Sequence, residues 1–348
     1  MLGPYWHADK VDIPPRADTT PFMDTATTLA QTATKIAAGD RRALARAITL
    51  VESARADHRT AALALLDQLG TTRQALRIGL SGTPGVGKST FIESFGLMLT
   101  GMGKKVAVLA VDPSSARSGG SILGDKTRMD HLARDPNAFI RPSPSQTQLG
   151  GVARRTREAV ALCEAAGYDV VLIETVGVGQ SETVVAQMSD LFVLLLAPAG
   201  GDELQGVKRG IMEIADIVLV NKADGDLKAQ ALRTCADYAG ALRLLRKRPQ
   251  DPDGFPVAKT ISALETQGLT EAWEAMKTLK TWRRDHGIWD QTRAAQAQHW
   301  FHEEVRHQLM AQLTADTALR ARLAQMETQV MAGEISPATA ATRILSGA

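Results

Sequence analysis

Residues Ala75-Leu76-Arg77-Ile78-Gly79-Leu80-Ser81-Gly82-Thr83-Pro84-Gly85-Val86-Gly87-Lys88-Ser89-Thr90 run from an apolar segment through a glycine-rich turn into the helical pattern FIESFGLML. The turn matches GxxxxGK[ST] without a gap. Successive backbone N–H groups can close onto phosphate oxygens only where glycines let the chain turn inward. Lys88 then offers a point charge to the outer phosphates, Ser89 a hydroxyl to Mg²⁺, and the helix start a favourable dipole. Gly82, Thr83, Pro84, Gly85, Val86, Gly87, Lys88, Ser89 and Thr90 are the expected phosphate cradle.

Similar apolar runs recur outward from this stretch. KVAVLAVD, AFIRPS, DVVLIE, DLFVLLLAP, DIVLV and FPVAKTIS follow ALRIGLS between Ala75 and about Lys280, separated by helical stretches. Runs apolar on both faces are strands of a parallel sheet covered by helices. The expected fold is α/β: a P-loop, doubly wound, mostly parallel sheet. A flexible arm (1–21, with four prolines) and a helical segment (22–72) precede the core (73–282), and helices fill 283–348. This C-terminal arm carries Trp300, Leu309, Leu313, Leu319, Leu323, Met326 and Val330 on an apolar stripe, which suits packing on the core or pairing with a second copy.

The base is indicated by Asn221-Lys222-Ala223-Asp224 after DIVLV. A carboxylate accepts from the ring N–H and the exocyclic amine of guanine, whereas adenine presents an acceptor in place of that N–H and is rejected. Ser262-Ala263 follows a later strand, where a backbone N–H can reach guanine O6. A helix cap is the plainer reading of Asp224.

Other acids mark the metal. Asp112 ends KVAVLAVD beside the phosphate turn, at the strand edge where ligands bind in such sheets. Asp125 stands in SGGSILGDK, a composition suited to a loop that orders on a nucleotide-metal complex. Glu174 and Gly177 give ExxG where many GTPases have DxxG, so Glu174 is assigned to the metal through water and the Gly177 N–H to the γ phosphate. Gln180 does not directly follow that glycine and cannot be given the water-orienting role. Gln205 and Lys208, in a further glycine-rich loop, are either solvated charges or groups that enter the site on repositioning.

Composition excludes several classes. With 40 Lys and Arg against 38 Asp and Glu, the net charge of +2 predicts no nucleic-acid partner. Two cysteines without metal spacing, Cys163 and Cys235, predict core thiols in a reducing compartment. Neither a signal core nor an uncharged apolar span is evident, so a cytoplasmic protein is expected. A nickel or cobalt metallochaperone would need a dedicated metal site, and the seven histidines form no cluster. A P-loop kinase is disfavoured by the intact guanine motif.

Taken in order, GDRRALARAITLVES, SGTPGVGKST, VDPSSARSGGSILGDKTRM, IETVGVGQSE, GGDELQGVKRGI and NKADGD resemble the GTPase chaperones of adenosylcobalamin-dependent methylmalonyl-CoA mutase, the MeaB/ArgK type. The resemblance covers about residues 40 to 310. It implies GTP hydrolysis to GDP with Mg²⁺, a homodimer held by the C-terminal helices, and a complex that gates cofactor delivery to the mutase and protects it. It also implies catalytic roles for Lys88, Asp112 and Glu174, with Gln205 and Lys208 becoming catalytic when the mutase binds. Ser89, Asp112, Asp125 and Glu174 are the implied metal residues. A cobalamin adenosyltransferase enters consideration as a further partner. The chain lacks DxHxxG, so cobalamin is expected on the partner and not on this chain alone.

Overall fold

The computed structural model describes residues 26–53, 55–70, 73–111, 129–142, 149–175, 181–198, 209–245 and 247–346. Helices α1 (Ala26–Ala37), α2 (Arg41–Glu52) and α3 (Ala56–Leu69) come first. Asp40 starts α2 by accepting from Arg42 N at 2.8 Å and Ala43 N at 2.9 Å, satisfying two of the amides a helix start leaves open.

Each of the seven quoted apolar runs supplies one strand, β4 extending one residue beyond its run: β1 (Leu76–Ser81), β2 (Val106–Val111), β3 (Ala138–Arg141), β4 (Val170–Thr175), β5 (Leu191–Leu196), β6 (Ile217–Val220) and β7 (Val257–Thr260). They form one sheet in the order β3-β2-β4-β1-β5-β6-β7, with every neighbouring pair parallel. Between and beyond them lie α4 (Lys88–Gly101), α5 (Asp130–Arg134), α6 (Leu149–Ala165), α7 (Ser181–Met188), α8 (Arg209–Ile214), α9 (Lys228–Leu244), α10 (Leu269–Asp285), α11 (Ile288–Ala315), α12 (Thr317–Met331) and α13 (Pro337–Ser346).

Strand alternation explains why the runs are apolar throughout. Val171, Ile173, Phe192 and Leu194 face a layer containing residues of α1, α2, α3, α6 and α9, whereas Leu172, Val193, Ile217 and Leu219 face α4 and α10. β4 and β5 are buried at every residue, and the edge strand β7 is half-buried throughout. The N-terminal helices share the sheet's core: Ile36, Leu44, Ile48 and Leu65 belong to the same cluster as Val171 and Ile173. Similarly, α10 runs continuously across the expected division at 282, and the turn occurs at His286 and Gly287.

A buried ion-pair network joins the C-terminal helices to the amino ends of the strands. Arg283 on α10 meets Asp216 and Asp251, each at 2.6 Å. Asp216 also accepts from Phe192 N at 2.7 Å, holding the start of β5. On α11, Arg293 meets Asp190 at 2.7 Å, and Asp190 accepts from Arg77 N at 2.8 Å in β1. Burial works against the Arg283 cation, but Asp216 and Asp251 outweigh it and raise its pKa. No motif in the sequence singles out these residues. The clue it contained was an acid, Asp190 or Asp216, directly before an apolar strand, where a buried charge needs a partner.

Trp300 of the expected arm stripe packs into the sheet core, whereas Leu309 remains 55% exposed. Leu313, Leu319, Leu323, Met326 and Val330 are half-buried. No helix among the described residues is long and apolar enough to cross a membrane.

Candidate nucleotide site

The carboxyl ends of the strands bring the sequence motifs to one edge. β1 leads into the phosphate turn and β6 into Asn221, while β7 is followed directly by Ile261, Ser262 and Ala263. β4 lies beside β1, with Glu174 opposite Leu80 and Thr175 one step farther along. Thr175 Oγ1 donates to Ser81 Oγ at 3.2 Å, tying the two strand ends together.

The turn is shaped by what its glycines permit. A Cβ at Gly82 would lie 2.4 Å from Leu195 O, so only glycine lets the chain leave β1 this close to β5. Gly87 has φ +90°, and a Cβ there would lie 2.7 Å from Asn221 Nδ2. Val86 is buried beneath the turn while Pro84 and Gly85 are exposed; Thr83, Gly87, Lys88 and Ser89 are half-buried, and Thr90 is exposed. α4 begins at Lys88. The Lys88 ammonium bonds Gly82 O at 2.7 Å and Thr83 O at 3.3 Å, carbonyls it can exchange for phosphate oxygens.

Asn221 is the central tie. Its Nδ2 donates to Val86 O at 2.9 Å and its Oδ1 accepts from Ala263 N at 3.0 Å, joining the phosphate turn to the turn after β7. Lys222, at φ +59°, occupies the left-handed region that non-glycine residues seldom adopt. That conformation lies between two fixed points, since Asn221 N donates to Leu196 O and Ala223 N to Ile261 O.

Asp224 precedes a short 3₁₀ turn without capping it through its side chain, so the plainer helix-cap reading is not what the structure contains. Its carboxylate instead accepts from Ser262 Oγ, which in turn accepts from Glu265 N at 3.0 Å. Ser262 and Gln267 exchange two backbone bonds of 3.0 Å, closing the turn. The Ala263 N–H expected to reach guanine O6 is already engaged by Asn221.

Glu174 is 6% exposed at the same edge. Ser89 and Glu174 supply hard oxygen donors, the type that suits Mg²⁺ beside phosphates, so the described residues fit that ion. Asp112, Asp125, Gly177, Gln180, Gln205 and Lys208 lie outside the described residues. Their segments follow β2, β4 and β5, the strands around β1. Among the described residues no group of three or more His, Cys, Asp or Glu could hold a metal ion by itself.

A cavity of 680 Å³ lies elsewhere, lined by residues of α1, α3, α6 and α11 such as Ala37, Leu69, Arg157 and Trp300. Cys163 is fully buried, whereas Cys235 is half-buried beside β7.

Residues 44–318 match the family model described as "Methylmalonyl Co-A mutase-associated GTPase MeaB". The chain belongs to the MeaB family. It is a P-loop GTPase. Among its relatives, a protein of Caulobacter vibrioides named "Putative GTPase" is 54% identical over 90% of this chain and 95% of its own length. The mouse "Methylmalonic aciduria type A homolog, mitochondrial" is 48% identical over 90% of this chain and 77% of its own. "GTPase ArgK" of Escherichia coli is 46% identical over 90% and 94%. A solved structure titled "Crystal structure of LAO/AO transport system kinase" aligns with a TM-score of 0.73 and 39% identity, covering 92% of this chain and 98% of that one.

In this MeaB-family chain, the sequence motifs that the structure describes lie together at the carboxyl edge of the sheet. They did not find Ser94, whose Oγ donates to Ala263 O at 2.6 Å, or Glu93, which accepts from His131 N at 2.8 Å at the start of α5. Both bonds join α4 to a distant loop or helix, and neither leaves a local pattern.

Proposed function

We propose that this GTPase is a chaperone of an adenosylcobalamin-dependent acyl-CoA mutase of the methylmalonyl-CoA type. It gates cofactor loading and protects or reactivates the radical enzyme, with hydrolysis stimulated by the bound mutase. The observation that carries this reading is the mutase-associated family model over residues 44–318. The name of the mouse relative points the same way. The metallochaperone and kinase readings are not favoured: one aligned structure is titled a transport system kinase, but the family model and the relatives are named GTPases, and an acid at Asp224 suits guanine.

In this account the cradle from Gly82 to Thr90 wraps the phosphates, and Lys88 leaves the Gly82 and Thr83 carbonyls for the β and γ oxygens. Mg²⁺, when bound, neutralises charge between those phosphates. Ser89, Asp112, Asp125 and Glu174 are the residues that would hold it, the last through water. Gly177 would contact the γ phosphate through its N–H. Asn221 and Lys222 shape the base pocket, Asp224 reads the guanine amine edge, and Ser262 with Ala263 faces the 6-oxo edge. Residues 283–348 form the arm of a cytoplasmic homodimer, using the exposed Phe301, Val305 and Leu309 stripe. Cobalamin stays on the mutase.

Gln205 and Lys208 complete the reacting site only when the mutase repositions them. Catalytic groups supplied in trans raise GTPase rates by roughly 10³ to 10⁵. Steady-state hydrolysis with and without the mutase, in wild type and Lys208→Ala, tests this. Stimulation of the wild type and its loss in the variant are expected; equal rates in all four assays would overturn the reading.

A further inference from the structure

Helical hydroxyls in this protein commonly bond back into their own helix. Thr49, Thr60 and Thr156 each donate to the carbonyl four residues earlier, the usual local outlet for such a group. Ser94, in the second turn of α4, instead reaches across 169 residues of sequence to Ala263 O at 2.6 Å. The helix whose first residue is Lys88 therefore grips the turn assigned to the base.

The consequence follows from peptide geometry. In a trans peptide the C=O of one residue and the N–H of the next point in opposite directions. By drawing Ala263 O toward α4, Ser94 turns the Leu264 N–H away from it. That N–H has no acceptor among the described residues, and Leu264 is 78% exposed. The neighbouring Ala263 N–H is held by Asn221. Ser262 is fixed by its two bonds with Gln267 and by Asp224. Ser94 thus holds the carbonyl of this one peptide, while the amides on either side of it, Ala263 N and Glu265 N, are bonded to Asn221 and Ser262.

We infer that Ser94 is a positioning residue for guanine recognition: by holding the Ala263 carbonyl it presents the Leu264 N–H to the 6-oxo group of the base. This rests on the base-reading role proposed for Asp224 and the Ser262–Ala263 turn. Two edges of guanine are then read by separately anchored groups. Asp224 takes the amine side, and the peptide aimed by Ser94 takes the oxo side.

Three nucleotides separate the two edges in the full-length protein. GTP offers both; inosine triphosphate lacks the exocyclic amine; 6-thio-GTP keeps the amine and ring N–H but replaces the oxo oxygen with a weaker sulfur acceptor. In Ser94→Ala, KM for GTP and for inosine triphosphate should rise together by about fivefold, the value of one ordinary hydrogen bond. KM for 6-thio-GTP should change little, so the preference for GTP over 6-thio-GTP contracts. The effect should fall on KM more than on kcat, and Ser94→Thr, which keeps the hydroxyl, should restore the wild-type pattern. If GTP and 6-thio-GTP shift in parallel, or Ser94→Thr behaves like Ser94→Ala, the assignment is overturned while the Asp224 reading stands. A wild type indifferent to the exocyclic amine would overturn the Asp224 reading and this inference with it.

Discussion

The two ends of the sheet are built on opposite principles. At the amino ends, buried arginines and carboxylates join helices α10 and α11 to β1, β5 and β6, as in Arg283 with Asp216 and Arg293 with Asp190. At the carboxyl ends, glycine turns, backbone groups and a few uncharged side chains such as Asn221 and Ser94 hold the loops. A closed charge network suits a scaffold because its members satisfy one another. A nucleotide edge needs donors and charges available for exchange, as the Lys88 ammonium is on its carbonyl partners. Substitutions at the amino ends should accordingly cost stability, and substitutions at the carboxyl ends should cost nucleotide handling.

The largest expected effect breaks the amino end. Arg283→Ala leaves Asp216 and Asp251 with Arg248 alone of the two arginines they share, and removal of one partner from a buried pair costs up to about 3–5 kcal/mol. Denaturant unfolding should show that loss, with the GTP-over-ATP preference unchanged in the molecules still folded. A change in base preference without loss of stability would erase the distinction between the two edges.

Next is Lys88→Ala. The site loses its point charge, and loss of one such stabilising group lowers kcat by about 10²–10³-fold. Its unfolding midpoint without nucleotide should remain near wild type, since the ammonium is half-buried at an exposed turn and bonds turn carbonyls rather than the core. A large fall in that midpoint would show that the lysine is scaffold as well.

Gly87→Ala sharpens the comparison by mixing both costs. It places a Cβ at φ +90° and 2.7 Å from Asn221 Nδ2. The left-handed backbone alone costs about 1–2 kcal/mol for a residue with a Cβ. GDP affinity should fall further than stability, measurable by calorimetry beside a melting curve.

The smallest effect concerns the thiols. Burial pushes both cysteine pKa values up, most strongly for Cys163. In the native protein an aromatic disulfide reagent should modify Cys235 slowly and leave Cys163 untouched at pH 8; both should react in denaturant. Rapid native modification of Cys163 would mean that the core layer under α6 opens.

The strands were legible because a doubly covered parallel sheet writes apolar residues on both faces, as DVVLIE and DLFVLLLAP do. The phosphate turn and Asn221–Asp224 were legible because their chemistry is local in sequence. Pairings across long separations were not: Ser94 with Ala263, Asn221 with Val86 and Arg283 with Asp216 are 169, 135 and 67 residues apart. Periodicity carries no information about such partners. The same limit left the arm open between packing in cis and pairing with a second copy. Trp300 joins the core cluster, and Arg157 of α6 lies over its ring at 5.2 Å.

In the proposed function Asp224 reads guanine at the carboxyl edge of the sheet. The direct measurement is binding of GDP, XDP and ADP to wild type and Asp224→Asn. Xanthine carries an oxo group where guanine has its amine, so an amide side chain can donate where the carboxylate accepted. Wild type should bind GDP strongly and ADP weakly, and Asp224→Asn should lose GDP affinity and gain XDP affinity. Unchanged GDP binding in the variant, or equal binding of GDP and ADP by the wild type, would contradict the account.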